Sequence, residues 1–167
     1  MADFVALDFE TANERRDSAC SIGISVVRGN EVTTAEFLIR PPEMRFARGN
    51  IQVHGITPMM VANAPTFAVL YPRIAPLLAR GPLWAHYAPF DQSVLNALAT
   101  TYGLSLPMGL NCTCKLAKRL LPRLPAHKLN IVCDHLGIAV KHHNAASDAE
   151  ACARIVLWAR EGGLLGA

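Results

Sequence analysis

Phe4-Val5-Ala6-Leu7-Asp8-Phe9-Glu10-Thr11 opens apolar and closes acidic. Its first four residues contain neither Gly nor Pro and read as a buried strand. Side chains on a strand alternate faces, so Asp8 and Glu10 share one side while Leu7 and Phe9 take the other. Two carboxylates leaving the end of an apolar strand together repel each other unless something positive sits between them. A hard divalent cation with oxygen ligands is the natural partner. The alternative is a solvated strand end with Asp8 capping a turn.

The 167 residues suit one domain, spanning 1–167, with a sizeable core. A composition 51% hydrophobic and 17% charged excludes a disordered chain. The formal charge of +3 permits an anionic partner without demanding one. Five cysteines, an odd count without secretory spacing, indicate reduced thiols in a cytoplasmic protein. Met1-Ala2-Asp3 begins no basic-then-apolar signal segment. The stretch from Gly49 to Pro72 is uncharged, but three prolines, Gln52, His54 and Asn63 interrupt it, which rejects a membrane span.

After the opening strand, Ala12 to Ala19 reads as a polar loop and Cys20 to Val27 as a second strand. Arg28-Gly29-Asn30 suits a hairpin turn, with Glu31 to Ile39 returning as a third strand. Pro41-Pro42 ends this antiparallel unit. A loop carrying Arg45, Arg48 and Val53-His54-Gly55-Ile56-Thr57-Pro58 follows, with Thr57 and Pro58 as N-cap and first helical residue. Pro72 and Pro76 must kink or shorten a helix over Thr66 to Arg80. Then come a strand at Leu83 to His86, a helix from Phe90 to Tyr102 stopped by Gly103, and a last strand at Gly109 to Thr113. Helices over Thr113 to Leu121, Lys128 to Leu136 (closed by Gly137) and Asn144 to Arg160 complete the chain. The order predicts an α/β fold: a mixed five-stranded sheet, three strands antiparallel and two parallel, with helices on both faces. Ligands gather beyond strand ends where the connectivity reverses, and the tip of the first strand is such a place.

Two further acids stand near predicted helix starts: Asp91 directly after Phe90, and Asp148 in the first turns of the last helix, for which Asn144 offers a cap. The helix dipole favours an acid there, so each taken alone reads as a cap. His143, five residues before Asp148, changes the balance. It sits in a loop from which its ring can reach a site that Asp148 helps to build, and histidine suits proton abstraction from water near neutral pH. Its neighbour His142 reads as an exposed loop histidine.

Asp8-Phe9-Glu10-Thr11, Phe90-Asp91 and His143-Asn144-Ala145-Ala146-Ser147-Asp148, in that order over nearly the whole chain, resemble the three-motif signature of the DEDD exonucleases, histidine subtype. Val53-His54-Gly55-Ile56-Thr57 is similar to a stretch of the branch containing the proofreading epsilon subunit of bacterial DNA polymerase III. The resemblance implies an RNase H-like fold and a 3′-5′ exonuclease that releases nucleoside 5′-monophosphates. It implies that Asp8, Glu10, Asp91 and Asp148 hold two divalent cations, Mg²⁺ or Mn²⁺, with His143 as general base. It places the Thr11 backbone near the 3′ end of the bound strand. The expected partner is nucleic acid with a free 3′ end, single-stranded DNA before RNA; a polymerase partner is not indicated. Family members often have His-Asn where this chain has His86-Tyr87, so the contact made by that amide is missing.

Candidate substrate contacts are Phe9, His54, His86 and Phe90. Core packing competes with base contact for Phe9, which faces away from Asp8, and for Phe90. Lys115, Lys118, Arg119, Arg123 and Lys128, with Lys141 further on, could track a phosphate backbone or form a solvated helical face. Cys112-x-Cys114 and Cys133-x-His135 invite a zinc reading, but their one-residue spacing is atypical. The rivals to a DNA exonuclease are an RNA-trimming exoribonuclease and a catalytically silent nucleic-acid- or polymerase-binding module.

Overall fold

The computed structural model describes residues 3–165. Its elements are β1 (Phe4–Thr11), β2 (Ala19–Arg28), β3 (Glu31–Leu38), α1 (Arg48–His54), α2 (Pro58–Val61) and α3 (Phe67–Leu78). They continue with β4 (Leu83–Ala85), α4 (Ala88–Tyr102), β5 (Asn111–Cys112), α5 (Thr113–Leu120), α6 (Leu129–Leu136) and α7 (Ala145–Glu161). The sheet order is β3-β2-β1-β4-β5. β1 pairs antiparallel with β2 and parallel with β4, so the connectivity reverses on β1, as its sequence neighbourhood predicts.

Alternation along β1 divides the core. Val5, Leu7 and Phe9 pack with Ile22 and Ile24 of β2 against α3 and α4, including Phe67, Leu70, Ile74, Val94 and Leu98. Phe4 and Ala6 pack on the other face against Cys152, Ala153, Val156 and Leu157 of α7. The even-numbered residues of β1 therefore point to the α7 side, and Asp8 and Glu10 share that parity. Helices cover both faces, with α5 and α6 packed on α7 through Ala117, Leu129, Val132 and Ile155.

Gly23 of β2 sits opposite Asp8 in the β1–β2 register. A Cβ added there would lie 1.9 Å from Ala145 O and 2.6 Å from Ala146 N, so α7 begins in direct contact with the sheet backbone. Only glycine permits this approach.

Three expectations need correction. The segment after Pro41-Pro42 is not all loop, because α1 forms within it. Its pattern is hard to recognise: no side chain caps it, none of its residues is buried, and its clear stop is Gly55, left-handed at φ 75°. The last strand is the two-residue β5 rather than Gly109 to Thr113, with α5 starting at Thr113. α3 is shorter than expected, Phe67–Leu78, yet it runs through Pro72 and Pro76, held by the buried stripe Leu70, Ile74 and Leu78. No helix among the described residues is long and apolar enough to cross a membrane.

Candidate active site

The end of β1, the first turn of α4 and the first turn of α7 meet at one place. Carboxylate oxygens of Asp8, Glu10 and Asp148 lie within 4.8 Å of one another. Asp91, 1% exposed, lies outside this triad but beside it: its Oδ1 accepts the Phe9 N–H at 3.0 Å, between the two acids of β1. Asp91 thus also fixes the end of the strand that carries them.

Such crowding is electrostatically uphill. Burial, then the charges of Asp91, Glu10 and Asp148, push the Asp8 carboxyl well above the usual range. Burial and the Asp148 charge raise Glu10 to about 7. Burial also raises Asp91 and Asp148, against hydrogen bonds from Phe9 to the first and from the His142–His143 loop to the second. Asp148 Oδ1 is buried with no hydrogen-bond partner. An orphaned carboxylate oxygen among mutually repelling acids, with only oxygen donors, fits a hard divalent cation of the Mg²⁺ or Mn²⁺ kind.

The loop into α7 is tied to Asp148. Asn144 caps the helix by accepting the Ser147 N–H at 3.0 Å, as its position predicts. Asp148 Oδ2 accepts the His143 N–H and His142 Nδ1–H, each at 3.1 Å. His142 is therefore more than an exposed loop histidine: it orients Asp148. The His143 ring stacks on that of His142 with centroids 3.8 Å apart, on a left-handed backbone at φ 66°. Burial first, and His142 next, lower the His143 pKa, which keeps the imidazole neutral near pH 7.

The ancillary residues divide. Phe9 lies in the core: the residue is 2% exposed, its ring packs 6.2 Å from the Phe67 ring, and its N–H goes to Asp91. Phe90 is half-buried at the core edge, with the Arg16 guanidinium 4.8 Å over its face. His86 is a satisfied histidine: Nδ1 takes the Thr113 hydroxyl at 2.9 Å and Nε2 meets the His127 carbonyl at 2.9 Å. Burial lowers its pKa to about 4, and no ring nitrogen remains for a substrate. His54 accepts the Ile56 N–H and donates Nε2–H to the Thr11 carbonyl at 3.0 Å. Asn50 donates to the same carbonyl at 2.8 Å. The Thr11 carbonyl is thus committed inside the protein.

Two cavities lie near the site. One of about 370 Å³ is lined by Asp8 and Asp148 together with Tyr87, Lys118 and Lys128. The second, about 290 Å³, lies between Glu36, His54, Ile56, Met60 and His143. Sequence reading missed Glu36, whose charge acts on both Asp8 and Glu10. Its carboxylate is held by the Ser21 hydroxyl at 2.7 Å and by Asn144 at 3.3 Å. Its signal was a lone acid in a polar edge strand, which carries no pattern. The second grouping dense enough for a metal among the described residues is His142, His143 and Asp148; no cysteine joins either group.

A family model described as exonuclease, that of RNase T, matches residues 5–156. The PolC-type DNA polymerase III of Clostridium perfringens is 29% identical over 157 residues, covering 92% of this chain. That match is 11% of the relative, so the chain spans about a tenth of the polymerase's length. Among solved structures, exonuclease X in complex with 5′-overhanging duplex DNA superposes with a TM-score of 0.76 at 24% identity, over 95% of this chain and 93% of that one. A 3′-exonuclease solved for 3′-end-specific recognition of a histone mRNA stem-loop gives 0.81 at 18% identity, over 97% and 83%. These likenesses establish the RNase H-like fold. With a match running from the first strand into the last helix, the chain belongs to the RNase T family and is an exonuclease domain of it.

Proposed function

We propose that the chain hydrolyses phosphodiester bonds at the 3′ end of nucleic acid, DNA before RNA, and releases nucleoside 5′-monophosphates. The observation that carries this reading is the buried, partnerless Oδ1 of Asp148 beside Asp8 and Glu10. Asp8, Glu10, Asp91 and Asp148 hold two divalent cations, Mg²⁺ or Mn²⁺. When bound, such ions neutralise charge on the attacking and departing oxygens.

The chain's own groups do the rest. His143, neutral near pH 7, takes a proton from the attacking water. The new P–O bond forms as the bond to the 3′ oxygen of the preceding nucleotide breaks, and that oxygen leaves as a hydroxyl after protonation from solvent. His142 and the His143 N–H hold Asp148 in place. His54 and Asn50 fix Thr11, and the 3′-terminal nucleotide lies in the smaller cavity, which His54 and His143 line.

The test is digestion of 5′-labelled single-stranded DNA, duplex DNA and RNA with Mg²⁺ or Mn²⁺. Products should shorten from the 3′ end, fastest on single-stranded DNA. Asp8→Ala should abolish the reaction. His143→Ala should slow it by about 10²–10⁴-fold with an unchanged circular dichroism spectrum. Near-normal rates in either variant refute the assignment. RNA digested in preference to DNA would select the exoribonuclease alternative.

A further inference from the structure

Tyr87 is strained, exposed and beside the carboxylates. It stands immediately before α4 at φ 62°, ψ 51°, a left-handed conformation that is unfavourable for a bulky side chain. Its ring does not recover that cost by burial, since the residue is 61% exposed. Strain of this kind persists where the surroundings impose it, and it concentrates at functional sites. Tyr87 lines the larger cavity, which Asp8 and Asp148 also line. Lys118 and Lys128 border the same cavity, and neither takes part in an ion pair among the described residues. An open aromatic face and two unneutralised ammonium groups, all within one cavity, are what a nucleotide needs: a platform for a base and a seat for a phosphate.

We propose that this cavity takes the nucleotide preceding the scissile phosphate, with its base stacked on Tyr87 and its phosphate between Lys118 and Lys128. The proposal rests on the exonuclease reading. With the 3′-terminal nucleotide beside His54 in the smaller cavity and the scissile phosphate at the carboxylates, the cavity that Asp8 and Asp148 share with Tyr87 is the one left for the next nucleotide. Stacking on Tyr87 needs a base free of its duplex neighbours, so the site selects an unpaired end of at least two nucleotides. Because every base has an aromatic face, the selection is for the presence of a base and not for its identity.

The experiment uses two single-stranded oligonucleotides, identical except that one carries an abasic tetrahydrofuran residue next to the 3′-terminal nucleotide. The wild-type chain should process the intact oligonucleotide with a kcat/KM roughly tenfold to a hundredfold higher than the abasic one. Tyr87→Ala should be slowed on the intact oligonucleotide by about that factor and should treat the two alike. Tyr87→Phe should retain the discrimination. Lys118→Ala and Lys128→Ala should each flatten the salt dependence of KM on both substrates. A wild-type chain indifferent to the missing base overturns the proposal, as does Tyr87→Ala with undiminished discrimination. Either result, obtained with active protein, leaves the exonuclease reading standing. Failure of the wild-type chain to shorten either oligonucleotide overturns both.

Discussion

Replacing Gly23 by Ala should disable the site without altering one of its polar groups. The new methyl would lie 1.9 Å from Ala145 O and 2.2 Å from Ala145 C, where an ordinary contact begins at 3.4 Å. These are backbone atoms of the first turn of α7, so no side chain can swing aside. Sheet and helix must part there by about 1.5 Å. The far end of α7 stays anchored through Cys152, Val156 and Leu157, so the helix start moves most, and with it His143 and Asp148. Overpacking of this kind costs roughly 1–3 kcal/mol, or about 2–4 °C of melting temperature per kcal/mol in a domain of this size. A displacement of about 1 Å at a reacting centre costs on the order of 100-fold in rate. Urea denaturation should show a lower midpoint at unchanged slope. Hydrolysis of single-stranded DNA should fall by about two orders of magnitude, with weaker Mn²⁺ activation. Gly49→Ala is the control: it lies in α1 with open space around it and should be neutral or stabilising by about 0.5–1 kcal/mol. If Gly23→Ala melts and cleaves like Gly49→Ala, the close approach of α7 to β2 does not position the site.

The raised carboxyl pKa values make a prediction about metal-free protein. Asp8, Glu10, Asp91 and Asp148 keep protons to higher pH when folded than when unfolded, so their contribution is full below about pH 4 and fades as pH climbs through the folded values, about 7 for Glu10. The depressed histidines, His54, His86 and His143, act in the opposite sense, but only below about pH 6.5. Thermal melts in EDTA should therefore decline from about pH 7 to 8, and saturating Mg²⁺ should abolish the decline; melts that rise over this interval contradict the cluster's electrostatics. Asp8→Asn should lose hydrolysis yet melt higher than wild type in EDTA at pH 8, by about 2–4 °C for each kcal/mol of repulsion removed; an unchanged or lower melt refutes the repulsion. His86→Leu leaves the Thr113 hydroxyl only its longer contacts to Ala85 O and Cys152 Sγ, and the His127 carbonyl only the Cys114 thiol, and should cost roughly 1–3 kcal/mol in all by urea denaturation; a loss below about 0.5 kcal/mol refutes its structural role.

Strong local periodicity made much of this architecture legible. The β1 alternation divides the core as read, and Gly103 and Gly137 close α4 and α6 where expected. Asn144 caps α7, and Asp8, Glu10 and Asp148 converge with Asp91 alongside. What escaped were features whose cause is tertiary. α1 buries none of its residues, so it left no apolar stripe to read. Gly23 looks like any glycine in a strand until α7 is docked on it. His142 and His143 are adjacent and chemically alike; only the fold shows that the first orients Asp148 and the second lines the smaller cavity. Phe9 and His86 show the converse limit. Both stand inside motifs, yet one is core and the other spends both ring nitrogens on internal bonds.

Because α7 carries Asp148 and begins two residues after His143, the proposed centre needs both ends of the fold at once. Synthesis proceeds from the amino end, so a nascent chain that has exposed β1 to β5 holds Asp8, Glu10 and Asp91 but no complete centre. On the proposed mechanism, hydrolytic competence arrives only when α7 seats on the sheet. A stalled or clipped chain lacking that helix would be harmless to nearby nucleic acid, yet left with a bare apolar face at Phe4 and Ala6 for quality control to recognise.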